Sequence, residues 1–385
     1  MNNERVKILH VITSLNVGGA ETMLYRLLKS MDASRFENQV VCLIHPGPVG
    51  ERIQSLGVPV FSLNMRPGRQ SLDALIGLVR LLRRESPDLL QTWLYHADLL
   101  GVLATKISAT PVIWNIRASN MDMSHYRRLS SVVLRACVQL SGWPQAVIVN
   151  SRAGQEFHAH LGYHPRRWVH IPNGIDTGLF QPDPPARMLL RKELGLAPDS
   201  LIIGLVARLD PMKDHWNFFR AASLLVDRSV DVHFVLAGTG VEPSKISFYN
   251  YFERYELHGR LHLLGQRDDI SSVTAALDIA SSSSSFGEGF SNTIAEAMSC
   301  GIPCVVTDVG DSANLVGESG IVVPPMNPQA LAEGWHRMIS LAVEGRNELG
   351  AIARQRIQQN FQQDEITRQY EILYESLMTT ASQPS

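Results

Sequence analysis

Cysteine is scarce in this sequence. Four in 385 residues (Cys42, Cys137, Cys300 and Cys304) are too few and too scattered for a disulfide framework. Cys300 and Cys304 could supply two metal ligands, but no second Cys or His pair stands nearby at zinc spacing, so they read as small core residues. An excess of one charge is missing too. Lys and Arg number 35 against 37 Asp and Glu, a net charge of -2, which gives no support to a nucleic-acid binder. No run of about eighteen consecutive apolar residues is present to span a membrane. The opening residues, MNNERVKILHVITSL, lack the apolar stretch and small-residue cleavage site of a signal peptide. Together these absences predict a soluble protein of a reducing compartment, hence cytoplasmic.

The length exceeds what one compact core usually holds, so two domains of fewer than about 200 residues each are expected. In the first half, β-rich apolar runs (Val6–Thr13, Gln39–Ile44, Val58–Leu63, Leu89–Thr92, Val112–Asn115, Ala146–Asn150, Trp168–Ile171) alternate with helix-period segments (Glu21–Met31, Leu72–Arg84, Ala97–Ile107, Tyr126–Leu140, Arg152–Leu161). That alternation implies βαβ units and a parallel sheet. Residues 172–186, PNGIDTGLFQPDPPA, break the pattern with four prolines and two glycines and form the best linker in the chain. A second series follows, with strands at Leu201–Ala207, Val232–Ala237, Leu261–Leu264, Ile279–Ser282 and Cys304–Thr307. From Gln329 to Leu377 the chain reads as helical throughout.

The expected fold is therefore α/β: two Rossmann-like, doubly wound domains facing each other across a cleft. Residues 1–175 form the first domain, 176–186 the linker and 187–360 the second domain. Residues 361–385 form a terminal helical segment that could pack back on the first domain. Ligands bind at strand C-termini in such sheets.

The first strand ends in Gly18-Gly19-Ala20-Glu21. Glycine lets backbone approach a ligand and a helix N-terminus attracts anions, yet a tight βα turn needs glycine for packing alone, and both readings stand. The turn lacks G-x-G-x-x-G and the second strand ends Cys42-Leu43-Ile44-His45 without an acidic residue, which argues against a dinucleotide enzyme. In the second half, a buried strand runs into Arg208, then turns and presents Lys213. Two cations at a strand C-terminus can clamp a diphosphate leaving group, although on charge alone a solvated surface turn is the commoner reading. More informative is Phe286-Gly287-Glu288-Gly289-Phe290-Ser291-Asn292, which leads into a helix starting at Ser291 or Asn292. Small residues bare the amides there for a phosphate or sugar hydroxyls. Glu288 precedes that helix. Glu296 lies within it in an apolar neighbourhood, which predicts a partner for its charge, and either carboxylate can bond the vicinal diol of a ribose or hexose.

With these residues the chain resembles the retaining glycosyltransferases with the GT-B fold, a family 4-like group that includes glycogen synthases and bacterial mannosyl- and N-acetylglucosaminyltransferases. The resemblance runs over nearly the whole chain. It rests on the paired glutamates Glu288 and Glu296, on Gly18-Gly19-Ala20-Glu21 and Pro172-Asn173-Gly174-Ile175-Asp176, and on Arg208 with Lys213. Leu264-Gly265-Gln266-Arg267-Asp268-Asp269 and the run Glu296 to Pro303 complete it. It implies that Arg208 and Lys213 hold the donor diphosphate, Glu296 the nucleotide ribose and Glu288 the transferred sugar. Gly289, Phe290, Ser291 and Asn292 would lie beside that sugar, Gly18 and Gly19 would contact the diphosphate or acceptor, and Gln266 and Arg267 would face the base.

The family's habit adds a UDP-sugar donor, a glycan or lipid-linked acceptor in cell-surface polysaccharide assembly, and neither cofactor nor metal. The absence of Asp-x-Asp at a strand end agrees with the last point. One departure stands out: many relatives carry a histidine where this chain has Arg117, and an upstream histidine that relatives often carry is replaced near Gln91 to Trp93, with His96 close by. Arg117 fits either a contact to donor phosphate or an anionic acceptor, or a structural ion pair. Two rival readings are a nucleotide-sugar epimerase and a non-catalytic sugar-nucleotide-binding subunit. Finally, Ser124–Arg135 can form a helix bearing Arg128 and Arg135, and Arg80, Arg83 and Arg84 add positive charge in the same domain. Peripheral contact with an anionic membrane is one expectation; an ordinary solvated helix is the other.

Overall fold

The computed structural model describes residues 5–65, 72–119, 128–226, 231–242, 257 and 259–381. The chain divides into two compact units, one of residues 1–174 with 363–385, the other of residues 175–362.

The first unit holds a parallel sheet whose seven described strands are β1 (Val6–Ile12), β2 (Phe36–Cys42), β3 (Val60–Ser62), β4 (Leu89–Trp93), β5 (Val112–Ile116), β6 (Ala146–Val149) and β7 (Trp168–His170), ordered β3-β2-β1-β4-β5-β6-β7. Every residue of β4, β5 and β6 is buried, as expected of strands covered by helices on both faces. Strand order reverses between β1 and β4, and at that switch point ligands bind in doubly wound sheets. The helix Pro48–Ser55 was not anticipated. It starts on a proline, which suits a first helical turn because the missing N–H would have no partner there.

The terminal stretch is not one continuous helix. Three helices, Pro328–Ser340, Ala342–Asn360 and Gln363–Ala381, are separated by Leu341, with Ala342 at φ 53° starting the second, and by Phe361 and Gln362. Phe361 turns inward onto the Phe290 ring, 5.3 Å between centroids. The last helix belongs to the first unit. Ile366, Tyr370, Leu373 and Tyr374, at i, i+4, i+7 and i+8, form a buried stripe in the core beneath β1, β4 and β5. Tyr370 stacks on Trp93 at 6.4 Å, the Tyr374 hydroxyl donates to Gln91, and Glu371 accepts from the Asp32 backbone at 2.9 Å.

The second unit carries six described strands: β8 (Leu201–Val206), β9 (Val232–Ala237), β10 (Leu261–Leu263), β11 (Ile279–Ser282), β12 (Cys304–Thr307) and β13 (Gly320–Val323). They are parallel and ordered β10-β9-β8-β11-β12-β13. β13 escaped the sequence reading because GIVV is short and directly follows a turn. Here the order reverses between β8 and β11. Cys300 and Cys304 are buried in this unit's core, and burial pushes the Cys300 thiol up to about 12. Among the described residues no cluster of His, Cys, Asp and Glu could hold a metal, and no helix is long and apolar enough to cross a membrane.

Candidate functional site

In the second unit, the segments that follow β8 and β11 at the switch point are stitched together. After β8 the chain makes a single 3-10 turn, Pro211–Lys213, capped by the Asp210 carboxylate, which accepts from the Met212 amide at 3.1 Å. After β11 comes a run of serines. Ser285 N donates to the Met212 carbonyl at 2.9 Å and Ser283 Oγ to the Lys213 carbonyl at 2.8 Å. This stitching sets the Lys213 ammonium 2.5 Å from Glu288 Oε2, and Ser284 Oγ donates to the same oxygen at 3.1 Å. Both side chains are largely buried.

Arg208 differs. Its side chain is exposed and pairs side-on with Asp210, at 3.1 and 2.9 Å. Lys213 and Glu288 are thus brought into one cluster, whereas Arg208 is held at the rim by its neighbour.

The Glu288 loop is fixed from behind. Asp311 N donates to the Gly289 carbonyl at 3.0 Å, and Thr307 Oγ1 to the Ser284 carbonyl at 2.7 Å. Gly310 has φ 62°, and a Cβ there would overlap the Glu288 carbonyl oxygen, so only glycine lets the two backbones approach. Next comes the helix Asn292–Ser299, whose cap residue Ser291 makes no side-chain capping bond. Its positive end carries backbone donors. Glu296, in the second turn, is buried. Phe290 packs its ring into the core, leaving only its backbone for a ligand.

Gln266 and Arg267 part company. Gln266 is exposed, its carbonyl accepting from Thr239 Oγ1 at 3.1 Å. Arg267 is committed to ion pairs with Glu193 (2.7 and 3.3 Å) and Asp269 (2.7 Å twice), which hold its guanidinium even further above its ordinary range. The segment expected to face a base thus presents Gln266 exposed and Arg267 paired with carboxylates.

Sequence reasoning missed three contributors: the serine run Ser283-Ser284-Ser285, Gly310, and the turn Gly238-Thr239-Gly240. In that turn a Cβ on Gly238 would meet the Ala207 carbonyl, and Leu209 N donates to the Thr239 carbonyl at 2.8 Å. A Gly-x-Gly directly after β9 was the available signal.

In the first unit, Gly18 caps the helix Gly19–Ser30 in extended conformation and Gly19 is exposed. The Glu21 carboxylate folds back over this turn. It accepts from Ser14 Oγ at 3.3 Å and would overlap a Cβ on Gly18. Arg117 follows β5. Its Nη1 donates to Asn115 Oδ1 and to the Tyr370 hydroxyl, both at 3.2 Å, its Nη2 donates to Asn173 Oδ1, and its guanidinium lies over the Trp93 ring, 5.4 Å from the centroid. No carboxylate pairs with it among the described residues. Among the described residues the partners of Arg117 are thus neutral groups rather than an ion-paired carboxylate. Burial pushes the guanidinium below its ordinary value, and the Tyr370 oxygen opposes this. His96 is partly buried, and burial lowers its ring's pKa.

In the second unit, the C-terminal ends of β8 and β11 thus carry a cation–carboxylate pair (Lys213–Glu288), a second cation (Arg208) and a helix N-terminus, a set able to bind a phosphorylated, hydroxyl-rich ligand. Known families match in two places: "Glycosyltransferase Family 4" over residues 17–179 and "Glycosyl transferases group 1" over residues 200–340. The two spans take in most of both sheets, and the chain belongs to this family of glycosyltransferase enzymes with the GT-B fold.

Among its relatives is the Escherichia coli enzyme UDP-Gal:alpha-D-GlcNAc-diphosphoundecaprenol alpha-1,3-galactosyltransferase, 26% identical over 322 residues and 82% of each chain. Another is the Campylobacter jejuni N,N'-diacetylbacillosaminyl-diphospho-undecaprenol alpha-1,3-N-acetylgalactosaminyltransferase, 23% identical over 89% of this chain and 92% of that one. The solved structure of Anabaena HepE with UDP-glucose superposes with a TM-score of 0.85 at 25% identity, covering 97% of this chain and all of the other.

Proposed function

We propose that this glycosyltransferase moves a sugar, with retention of anomeric configuration, from a UDP-sugar to a glycan or lipid-linked acceptor in cell-surface polysaccharide assembly. The observation that carries this reading is the buried Lys213–Glu288 pair at the switch point of the second unit, beside the helix that bears Glu296. The uridine preference draws on HepE, solved with UDP and UDP-glucose, and the acceptor class on the diphosphoundecaprenol-linked acceptors in the names of two relatives.

In the proposed reaction, an acceptor hydroxyl oxygen bonds to the anomeric carbon as the bond from that carbon to the phosphate oxygen breaks. The electron pair leaves with the diphosphate, and the hydroxyl proton passes to a phosphate oxygen on the same face. Lys213, Arg208 and the amides of Gly289 to Asn292 meet the leaving charge. That assignment gives the step no metal and no cofactor. Glu288 is tied to Lys213 and Ser284 and serves to hold sugar hydroxyls rather than to attack carbon. Glu296 takes the ribose, the backbone around Gln266 the base, and Gly18 and Gly19 the acceptor. Because Glu21 shares the Gly18 turn, that turn suits a hydroxyl better than an anion.

The enzyme would work on the cytoplasmic side, meeting a lipid-linked acceptor at a membrane surface. Of the segment expected to make that contact, residues 124–127 lie outside the described residues, while Arg80, Arg83, Arg84 and Arg135 are exposed.

The test is a panel of nucleotide sugars scored by thermal stabilisation, followed by transfer to a diphospholipid-linked sugar with NMR assignment of the product anomer. UDP-sugars should stabilise most and the product should keep the donor's anomeric configuration. An inverted product would remove the front-face step. Full turnover of donor without acceptor would favour an epimerase.

A further inference from the structure

Arg117 is the cation in the first unit whose surroundings the reaction above leaves unexplained. It sits where β5 ends, next to β4 in the sheet, and is half-buried. Its partners Asn115, Asn173, Tyr370 and Trp93 come from β4, β5, the segment after β7 and the returning last helix, and none of them carries a charge. A half-buried guanidinium whose Nε is out of water is normally paired with a carboxylate, since a desolvated charge is costly without one. Here four separate elements hold the cation in position, and among the described residues none supplies a matching charge.

The hydrogen count is equally telling. A guanidinium has five N–H donors in a planar fork. Nη1 spends both of its hydrogens, on Asn115 and Tyr370, and Nη2 spends one on Asn173. Nε is buried and has no partner. The unspent donors are therefore on Nε and Nη2, adjacent nitrogens of one plane, the arrangement that grips two oxygens of a phosphate.

We infer that Arg117 holds a phosphate of a diphosphate-linked acceptor and so selects anionic acceptors over neutral glycans. This rests on the transferase reading, which places the acceptor on the first unit and assigns the donor diphosphate to Lys213 and Arg208. Tyr370 is a positioning residue. Its hydroxyl accepts from both Asn115 Nδ2 at 3.0 Å and Arg117 Nη1 at 3.2 Å, and so fixes the fork's orientation.

The test titrates the full chain, saturated with UDP, with farnesyl diphosphate, inorganic pyrophosphate or farnesol. Intrinsic tryptophan fluorescence serves as the readout because the Trp93 ring lies beneath the guanidinium. Both diphosphates should bind wild type, the farnesyl form at least as tightly, and farnesol should bind no better than it does to Arg117→Met. Arg117→Met should weaken both diphosphates roughly tenfold or more while UDP affinity stays within about twofold. Arg117→Lys keeps the charge but not the fork and should fall between, which preserves the test if the methionine variant does not fold. Tyr370→Phe should weaken diphosphate binding without altering UDP binding. Unchanged diphosphate affinity in both Arg117 variants, or farnesol binding as well as farnesyl diphosphate, overturns the inference. An equal loss of UDP affinity makes Arg117 a donor contact and overturns it too. Wild type that fails to bind UDP at all defeats the transferase reading instead.

Discussion

The ammonium of Lys213 lies 2.5 Å from Oε2 of Glu288, 75 residues further along the chain, and the pair is largely buried. Each charge offsets the desolvation of the other, so removing one leaves its partner uncompensated, at a cost of about 3–5 kcal/mol. Lys213→Met should therefore destabilise the second unit as well as cut turnover by roughly a hundredfold or more. Adding Glu288→Gln should return much of the stability and none of the activity. Urea unfolding and initial rates on the two single variants and the double variant decide this. If the double variant is no more stable than Lys213→Met, the pair is not the structural unit described here.

Arg208 makes a contrasting case because it is exposed and its described ion pair is with Asp210. A surface ion pair contributes about 0–1 kcal/mol. Arg208→Ala should leave the melting temperature almost unchanged and lower kcat by about a hundredfold, through loss of a charge-assisted donor to the leaving group. Near-normal kcat in a fully folded variant would take Arg208 out of the reaction.

The two glutamates should separate by ligand. Glu296→Ala should weaken UDP binding itself, because a ribose contact exists before any bond breaks. Glu288→Ala should weaken the intact UDP-sugar and leave UDP nearly unaffected. Calorimetric titration with both ligands checks the division, and an equal loss of UDP affinity in both variants would remove it.

Much of this was legible in local sequence. Val232–Ala237, Ile279–Ser282 and Cys304–Thr307 coincide with β9, β11 and β12 because each is a short apolar run between turn residues. Glu288 and Glu296 were legible because a glycine-rich loop and a helix start flank them. The partners of these residues were not. That Lys213 meets Glu288 depends on Ser283 and Ser285 bonding back to the Pro211–Lys213 turn. The neutral setting of Arg117 depends on Tyr370, 253 residues away, returning on the last helix. The commitment of Arg267 to Glu193 and Asp269 was equally hidden, since a charge pattern does not say which of several nearby carboxylates a guanidinium will choose.

Acid should weaken the fold above the pH range in which most carboxylates are protonated, because three histidines are held neutral. Burial pulls His10, His158 and His215 down from 6.5 to about 4. The bonds of the first two explain why a second proton is unwelcome. The His10 Nδ1 accepts from Trp93 Nε1 at 3.4 Å, so its Nε2 must carry the hydrogen that Asn38 Oδ1 accepts at 3.0 Å. In His158, Nδ1–H donates to the Gly154 carbonyl at 2.7 Å and Nε2 accepts from the Tyr95 hydroxyl at 2.7 Å. Protonating His10 sets its Nδ1–H against the Trp93 N–H, and protonating His158 forces the Tyr95 hydroxyl to turn from donor to acceptor. Since the folded pKa lies below the unfolded one, the unfolded chain binds more protons between about 4 and 6.5, and stability present above that window is lost as pH falls through it. Each ring should cost on the order of 2 kcal/mol on going from about pH 7 to about pH 5. Asp98 works in the opposite direction: burial raises its carboxyl well above 3.8, its proton is retained in the fold, and stability from this group grows as pH falls. Three rings outweigh one carboxyl, so the urea midpoint should drop clearly between those two pH values. His10→Gln, which cannot gain a proton, should remove about a third of the drop. A midpoint that does not move would mean these rings titrate alike in the folded and unfolded chain, contrary to their burial.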